Sequence, residues 1–451
     1  MPLPNADTIA AIATAQGRGG IGVVRVSGRH IETLICGILG KLPVVRHATY
    51  GNFLDENGGT LDQGVALLFL APHSFTGEDV LELQGHGGSA VLQLVLRRCL
   101  DLGARSARPG EFTQRAFLNG KLDLAQAESV ADLIDANSAE AARSAMRSLR
   151  GEFSVVIRGM VDELVNLRML VEAMLDFPEE DVEAIDLERR DALLNGVRSR
   201  LQLTLDTAKQ GSLLREGAHV VIAGQPNVGK SSLLNRLAGE EVALVSDIPG
   251  TTRDVIRQAI HIRGVPLHIM DTAGLRESAD AVESMGIARA HQTMHRADLI
   301  LLLLDASKGL TAQDEAILVS LPADIPRLLV FNKTDLLNGG TVLSVGAPFA
   351  AIAFVGVSAK TGAGLEELRG KLLEAVGWRD QESGVFMARE RHVRALLLAQ
   401  THLAQAQTVL ARAELFAEEL RLAQRALDEI TGEFTPDDLL GEIFSRFCIG
   451  K

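Results

Sequence analysis

Long apolar runs are missing from this sequence of 451 residues. The run Leu299–Leu304, one of the longest, is far shorter than the ~20 residues that a membrane-spanning helix needs. The N-terminus (MPLPNADTIA) has neither the basic start nor the apolar centre of a secretion signal. Cysteine is also scarce, and Cys36, Cys99 and Cys448 show no CxxC or Cys/His spacing, which argues against a disulfide framework or a structural zinc site. We therefore expect a cytoplasmic protein that does not insert into membranes.

Basic side chains and large aromatic rings are scarce as well. The chain has 45 Lys and Arg residues and 58 Asp and Glu residues, which gives a net charge of −13. A protein that binds nucleic acid by itself is usually basic. One Trp and one Tyr leave few rings, apart from Phe, to stack on bases. The composition argues against strong autonomous binding of RNA or DNA, and leaves open binding through a local patch or a partner.

The first part of the chain, residues 1–118, contains short β-like runs separated by Gly, Pro and Asn. The clearest runs are Ile21–Ser27, Val65–Phe69 and Val80–Gln84, and one helical stretch covers Ala90–Leu102. A mixture of strands and helices in this order predicts an N-terminal α+β domain.

Two later stretches, residues 119–212 and 380–451, are rich in Ala, Leu, Glu and Arg. Their apolar residues recur at helical spacing, as in VDELVNLRMLVEAML and EELRLAQRALDEI. We expect the last helix to start with Thr435 as N-cap and Pro436 at the first helical position, followed by two aspartates in the first turn. We predict that both stretches form one helical domain.

Between these stretches, residues 213–379 alternate buried strands with helices. The strands AHVVIAG, PLHIMDTAG, DLILLLLDA, RLLVFNKTD and AIAFVGVSAK each end in a polar loop. This pattern is typical of a parallel, doubly wound sheet that binds its ligand at the carboxyl ends of the strands. We therefore predict a multidomain α+β and α/β protein in which the α/β domain is inserted into the helical domain.

A glycine-rich loop follows the first of these strands. The sequence GQPNVGKS, from Gly224 to Ser231, matches the P-loop pattern between a strand and a helix. Backbone N–H groups and the helix N-terminus suit phosphate, Lys230 would contact the β- and γ-phosphates, and the Ser231 hydroxyl would bind Mg²⁺. Taken alone, such a match could be an ordinary glycine-rich loop.

Four further motifs occur in the order expected of a GTPase. DTAG begins at Asp271, NKTD begins at Asn332, SAK begins at Ser358, and GTTRD precedes them in the position of a switch loop. The carboxylate of Asp335 can accept hydrogen bonds from N1–H and the amino group of guanine, which adenine cannot offer. We therefore predict a Ras-like GTPase domain, with Thr252 as the second hydroxyl on Mg²⁺.

The predicted nucleotide-binding residues come from all five motifs and their flanks. They are Asn227, Val228, Gly229, Lys230, Ser231, Ser232, Ser246, Asp247, Ile248, Pro249, Gly250, Thr251, Thr252, Asp271, Thr272, Ala273, Gly274, Asn332, Lys333, Asp335, Ser358, Ala359 and Lys360.

The residue after DTAG has a bearing on hydrolysis. Many GTPases carry Gln there to orient the attacking water, and this chain has Leu275, which cannot do so. Nearby polar residues are Arg276, Asp280 and Glu283, each of which could equally be a solvated loop charge. Water must be oriented by another group, or hydrolysis must await a conformational change.

The segments outside the GTPase motifs resemble the MnmE (TrmE) family of tRNA-modifying GTPases over the whole chain. The resemblance rests on GRGGIGVVRVSG at 17–28, SFTGEDVLELQGHGG at 74–88, RPGEFTQRAFLNGKLDLAQAE at 108–128 and FCIGK at 447–451. It implies a homodimer that works with a flavin-dependent partner subunit, MnmG, on the wobble uridine of tRNA. FAD and NADH would belong to that partner, since no GxGxxG follows a strand here.

The resemblance also implies a folate site in the N-terminal domain. Arg25, Glu82 and Lys121 match the family's binding positions for 5-formyltetrahydrofolate or a related one-carbon donor, and Lys451 lies in the terminal motif near that site. Arg and Lys suit the carboxylates of the folate, and Glu suits the N–H groups of the pterin. Cys448 is a candidate catalytic thiol in the family, although the pattern indicates a buried structural cysteine at least as well.

A second implication is potassium-dependent hydrolysis on dimerisation of the GTPase domains. Asn227, Ser246, Ile248 and Thr251 match the potassium ligands, and Glu283 matches the glutamate that positions water through a second water. A monovalent cation beside the phosphates would neutralise charge as an arginine finger does. On this basis the predicted catalytic residues are Glu283, Lys230 and Cys448.

Two other functions share some of these features. A ribosome-assembly switch GTPase would usually append a basic RNA-binding module, and the sequence has no GXXG loop in a basic setting. A folate-dependent aminomethyltransferase with a regulatory GTPase domain would share the folate site, yet would need neither tRNA nor a flavoprotein. Separate assays of folate binding and of tRNA modification discriminate these alternatives.

Overall fold

The computed structural model describes most of the chain as two compact units. The described residues are 7–15, 17–176, 184–239, 257–271, 297–337, 345–346, 348–379, 384–433, 437–445, 447–448 and 450. Unit 1 comprises Met1–Ala131, Ser148–Arg198 and Leu398–Lys451, and unit 2 comprises Asp132–Arg147 and Ser199–Leu397.

Twelve strands are found in the described ranges. They are β1 (Ile9–Ile12), β2 (Gly19–Gly28), β3 (Thr49–Leu54), β4 (Thr60–Phe69), β5 (Asp79–Gly87), β6 (Arg105–Ser106), β7 (Ala218–Gly224), β8 (Arg257–Ile262), β9 (Val265–Asp271), β10 (Leu299–Asp305), β11 (Arg327–Asn332) and β12 (Ala353–Gly356).

Thirteen α-helices are found in the same ranges. They are α1 (Glu32–Leu39), α2 (Ser89–Asp101), α3 (Glu111–Leu118), α4 (Leu124–Ile134), α5 (Ala139–Leu149), α6 (Glu152–Asp176), α7 (Ala184–Glu216), α8 (Lys230–Gly239), α9 (Ala312–Ser320), α10 (Leu365–Ala375), α11 (Glu390–Thr408), α12 (Ala413–Thr431) and α13 (Asp437–Ser445).

The sheet of unit 1 has the order β3-β4-β5-β2-β1-β6, and all its pairs are antiparallel except β1 with β6. Burial alternates from Gly22 to Val26 in β2 and from Gly64 to Phe69 in β4, because alternate side chains point to opposite faces of a strand. The buried face packs on α1 and α2 through Ile35, Ile38, Leu92 and Val95. This is the α+β arrangement expected for the N-terminal region.

Helices complete unit 1. α6 packs along α12, and the Arg168 guanidinium of α6 donates a hydrogen bond of 2.8 Å to Gln424 Oε1 of α12. α13 packs on α4 through a cluster that includes Leu124, Ile443 and Phe444. The C-terminal segment of the chain therefore lies against the helices that follow the N-terminal sheet.

The sheet of unit 2 has the order β12-β11-β10-β7-β9-β8 and is parallel apart from the antiparallel edge pair β8–β9. The apolar run of β10 explains how both faces are covered. Leu299, Leu301 and Leu303 enter one core cluster, and the alternate residues Ile300 and Leu302 enter another. Such double burial is typical of parallel sheets with helices on both faces.

The structure confirms the predicted fold class, a multidomain protein with α+β, helical and doubly wound α/β parts. The sequence patterns missed β8, and therefore the hairpin at the edge of the parallel sheet. The predicted N-cap Thr435 and the following Pro436 lie outside the described residues, and α13 is described from Asp437. None of the described helices is both long enough and apolar enough to cross a membrane.

Candidate nucleotide site and N-terminal charged site

The P-loop lies between the carboxyl end of β7 and the start of α8. Gly224 has a φ of +143°, and a Cβ atom there would lie 2.4 Å from the carbonyl oxygen of Leu303 in the neighbouring strand β10. Only glycine tolerates both the backbone conformation and this approach. The Lys230 ammonium donates to the carbonyls of Gly224 (2.9 Å) and Gln225 (3.1 Å), so the loop curls around the lysine.

Asn332 at the end of β11 connects the P-loop to the loop after β12. Its side chain is buried, donates to the carbonyl of Val228 (2.9 Å) and accepts from the N–H of Ala359 (3.0 Å). Gly229, with a φ of +98°, leaves room for this amide, because a Cβ there would come within 2.3 Å of Asn332 Nδ2. Three predicted motifs are thus held together by one side chain.

The two motifs predicted to bind guanine are also joined directly. The buried Ser358 hydroxyl donates to Asp335 Oδ1 at 2.6 Å and accepts from the N–H of Thr361 at 3.1 Å. Asp335 and Lys360 are exposed at the carboxyl edge of the sheet, where a base could reach them. The serine therefore orients the carboxylate that is predicted to read guanine.

Lys333 adopts a left-handed backbone conformation, with a φ of 67°, that aims its side chain at the end of β10. Its ammonium lies 2.8 Å from Asp305 Oδ2. Burial alone would raise the pKa of Asp305, yet the hydrogen bonds from Lys333 and Ser307 lower it below its ordinary value. Asp305 therefore stays ionised and holds the lysine of the NKTD motif.

The predicted cation ligands within the described ranges offer oxygen donors. Ser231 is exposed at the first turn of α8, and Asn227 is exposed in the P-loop with a φ of 63°. The end of β9 is adjacent to them, since Asp271 is paired in register with Ile222 of β7. Hydroxyl and amide oxygens fit hard cations such as Mg²⁺ and K⁺.

Many predicted residues of the switch loops, and one predicted folate residue, lie outside the described residues. They are Ser246, Asp247, Ile248, Pro249, Gly250, Thr251, Thr252, Thr272, Ala273, Gly274, Leu275, Arg276, Asp280, Glu283 and the terminal Lys451.

The N-terminal charged site contains the predicted folate residues Arg25 and Glu82. They face each other on the antiparallel strands β2 and β5, and Arg25 Nη2 lies 2.8 Å from Glu82 Oε1. The Arg25 guanidinium also lies 5.6 Å from the ring centroid of Phe75 and 5.8 Å from that of Phe112. The two aromatic rings hold the plane of the guanidinium in place.

The other predicted residues lie near the loop that contains Phe75. The Lys121 ammonium donates to the carbonyl of Pro72 at 3.0 Å, in the same loop. Cys448 is exposed, and its carbonyl accepts from the N–H of Gly110, 3.3 Å away and two residues before the Phe112 that contacts Arg25. Lys121 thus contacts the loop that contains Phe75, and Cys448 contacts the segment that leads to Phe112, and both of these rings flank Arg25.

Sequence reasoning missed an ion network beneath this site. Arg115 contacts Glu78, Glu111 and Asp7, and Arg105 contacts Glu111 and Asp7, at 2.5–3.2 Å. Burial would raise the pKa of Glu111, yet hydrogen bonds from Arg105 and from the backbone of the neighbouring loop lower it to about 2. Only the pair Glu111 and Arg115, four residues apart on α3, has a spacing that signals contact, since Asp7, Glu78 and Arg105 come from other segments.

A P-loop joined by one asparagine to NKTD and SAK loops, at the carboxyl edge of a parallel sheet, defines a guanine-nucleotide-binding domain of the P-loop class. Two family models match the chain, "MnmE helical domain" over residues 124–448 and "GTP-binding protein TrmE N-terminus" over residues 8–121. The first of these covers well over half of the chain.

Curated relatives cover its full length. The chain is 59% identical to the tRNA modification GTPase MnmE of Nitrosospira multiformis over 100% of both chains, and 59% identical to that of Thiobacillus denitrificans over 99% of both. It is 57% identical to the corresponding protein of Nitrosomonas eutropha, again over 100% of both. The chain therefore belongs to the MnmE family of tRNA modification GTPases, and the prediction of a GTP-hydrolysing enzyme is confirmed.

Proposed function

We propose that this chain is the potassium-activated GTPase subunit of a complex that modifies the wobble uridine of tRNA. The observation that carries the proposal is the convergence of P-loop, NKTD and SAK segments on Asn332, in a chain whose full-length relatives are named tRNA modification GTPases. Asp335, oriented by Ser358, selects guanine, and Lys230 together with the N-terminus of α8 binds the phosphates.

Two cations take part in the proposed hydrolysis. Ser231 and Thr252 would hold Mg²⁺, and Asn227, with Ser246, Ile248 and Thr251 beyond the described residues, would hold K⁺. When bound, these cations neutralise the charge that develops on the phosphates.

Hydrolysis also needs a group to orient water. Leu275 lacks a polar group, so the proposal gives this role to Glu283, acting through a second water. The positive charge of Lys230 stabilises the negative charge that develops on the β-phosphate oxygens as GDP leaves. Conformational change of the GTPase domain accompanies the cycle.

The N-terminal site is proposed to bind 5-formyltetrahydrofolate or a related one-carbon donor. Lys121 and Lys451 supply cations for the carboxylates of the folate, and Arg25, 2.8 Å from Glu82, holds the Glu82 carboxylate in place at the pterin end. Glu82 supplies the acceptor for the N–H groups of the pterin, and the exposed ring of Phe75 beside Arg25 offers an aromatic face to the ligand. Cys448 lies nearby, and its role as a catalytic thiol stays a prediction.

The proposed assembly is a cytoplasmic homodimer that joins a flavin-dependent subunit, MnmG, in a heterotetramer or larger complex. The partner would carry FAD and much of the tRNA contact, which suits the net charge of −13 on this chain. The proposed domains are the N-terminal domain (1–118), the two helical parts (119–212 and 380–451) and the inserted GTPase domain (213–379).

The experiment that tests the proposal compares the steady-state GTPase rate of the purified chain in potassium and in sodium buffer at equal ionic strength. We expect a rate at least about tenfold higher in potassium, since one well-placed charge in a dry site lowers the barrier by more than ~1.4 kcal/mol. Equal rates would overturn potassium activation.

The Asn227→Ala variant sharpens this test, because it removes one predicted oxygen donor and leaves Lys230 and Ser231 in place. It should lose most of the potassium stimulation and keep its basal rate in sodium. Asn195→Ala is the matched control, since Asn195 is exposed on α7 and belongs to unit 1. Equal stimulation in both variants would remove Asn227 from the cation site.

A further inference from the structure

Gln225, the second residue of the P-loop, is anchored to the helix that follows β10. Its side-chain amide donates to Thr311 Oγ1 at 2.8 Å and to Asp314 Oδ1 at 2.9 Å. Thr311 is the N-cap of α9 and forms a capping box with Asp314, whose side chain is buried. The acceptors of Gln225 are therefore fixed by the start of a regular helix.

The backbone of the same residue contacts the P-loop lysine. The Gln225 carbonyl accepts from the Lys230 ammonium at 3.1 Å, beside the Gly224 carbonyl at 2.9 Å. The side-chain anchor on α9 thus restrains the peptide units that hold the ammonium. The side chain of lysine is long and flexible, so the position of its ammonium depends on how firmly the carbonyls that accept its hydrogen bonds are held.

The anchor is itself held at both ends. Asp305, at the end of β10, contacts Lys333 of the NKTD motif, and the chain then runs through the turn at Ser307 to the capping box of α9. The segment from Asp305 to Asp314 therefore touches the base-binding motif with one end and the P-loop with the other. It is well placed to keep these two parts of the nucleotide site at a constant separation.

We infer that Gln225 is a positioning residue for Lys230, acting through its bonds to Thr311 and Asp314. It sets the position of the lysine charge for the β- and γ-phosphates of the bound nucleotide. This inference rests on the proposed nucleotide site. It adds to that site a residue that binds neither base nor phosphate through its side chain.

The test replaces the amide by a carboxylate. Gln225→Glu places a negative charge against the Asp314 carboxylate and removes both hydrogen bonds. We expect the dissociation constants of GTP and GDP to rise at least about tenfold, because a hydrogen bond to a charged group is lost and a like charge is added. The dissociation constant of GMP should change less than about twofold, since Lys230 acts on the β- and γ-phosphates.

Two further variants keep the outcome interpretable. Gln225→Glu combined with Asp314→Asn restores a carboxylate–amide pair with donor and acceptor exchanged, and should recover most of the lost affinity for GTP and GDP. Gln313→Glu is the matched control: it makes the same change at an exposed position of the same helix. It should bind all three nucleotides as the parent does.

The outcomes separate the possible failures. An equal loss of GMP, GDP and GTP affinity in Gln225→Glu, or no recovery in the double variant, would assign Gln225 a general structural role and overturn the inference. Lys230→Ala tests the nucleotide site itself. If that variant binds GTP normally, the proposed site is wrong, whereas a loss in Lys230→Ala with parent-like binding in Gln225→Glu overturns the positioning role alone.

Discussion

The nucleotide site and the N-terminal charged site are built in different ways. The first is assembled from short contiguous motifs, each at the carboxyl end of a parallel strand, and it relies largely on backbone groups and glycines. The second pairs Arg25 with Glu82, 57 positions apart, across two antiparallel strands, and adds Lys121 and two aromatic rings from other segments.

The difference teaches how each site depends on its surroundings. A P-loop carries its own conformation, because glycines and a helix N-terminus place N–H groups locally. A cross-strand ion pair depends on the register of the sheet and on what supports its strands. We therefore expect substitutions in the two sites to have independent effects on the affinity for their ligands. Substitutions in the ion network of Arg105 and Arg115 should affect the stability of the N-terminal site and leave the nucleotide site unchanged.

The largest effect is expected for Asp335→Asn. The substitution replaces a carboxylate acceptor of two guanine N–H groups by an amide, and each such bond to a charged group contributes ~1.5–3 kcal/mol. Affinity for GTP should fall at least about a hundredfold, and affinity for xanthosine triphosphate should rise. Competition binding with both nucleotides measures this, with Asp324→Asn, an exposed loop aspartate, as control. An unchanged preference for guanine would remove Asp335 from the base site.

Arg25→Ala should act on the other site. Loss of the charge-assisted hydrogen bond by which Arg25 holds Glu82 at the pterin end corresponds to ~1.5–3 kcal/mol, so affinity for 5-formyltetrahydrofolate should fall about tenfold or more. Affinity for GTP should stay as in the parent. Titration calorimetry with both ligands is the measurement, and the exposed Arg97→Ala on α2 is the control. Normal folate binding would place the folate site elsewhere, and a loss of GTP affinity would contradict the independence of the two sites.

The last predicted change concerns stability and pH, and at pH 7 it leaves the binding of both ligands unchanged. The pKa of Glu111 is about 2 in the folded chain against an ordinary value of 4.5. A lowered folded pKa stabilises the folded state above pH 4.5, and the contribution, about 3 kcal/mol at most, disappears as the pH falls from 4.5 towards 2. Glu111→Gln should therefore destabilise unit 1 at pH 7 and reduce its loss of stability on acidification.

Hydrogen exchange of β1 and α3 at pH 7, with urea unfolding at several pH values, measures this effect. Trp378, the single tryptophan, lies in unit 2 and reports by fluorescence whether that unit changes. Glu56→Gln, at an exposed position in unit 1, is the control. If Glu111→Gln has the same stability as the parent at pH 7, the network contributes little. If it alters the Trp378 transition, the two units do not respond separately.

The strands and most helices follow from local patterns in the sequence. The run Leu299–Leu304 predicted a buried strand, and the β-like run Ile21–Ser27 predicted a strand of the N-terminal domain; the structure contains both, as β10 and β2. The P-loop could also be predicted from the sequence, because its glycines and the start of the following helix are adjacent in the chain. β8 was missed because it forms only by pairing with β9 at the edge of the sheet, and the local sequence pattern does not show this pairing.

By itself, the sequence determined the fold class, the order of the nucleotide motifs and the family to which the chain belongs. Only the tertiary structure decided that Asn332 joins the P-loop to the SAK loop, that Gln225 is anchored on Thr311 and Asp314, and that five charged residues support the N-terminal site. The physical reason is the range of the interactions. Backbone conformation and apolar periodicity act between neighbours in the chain, whereas buried hydrogen bonds and ion pairs form between segments that meet only when the whole domain has packed.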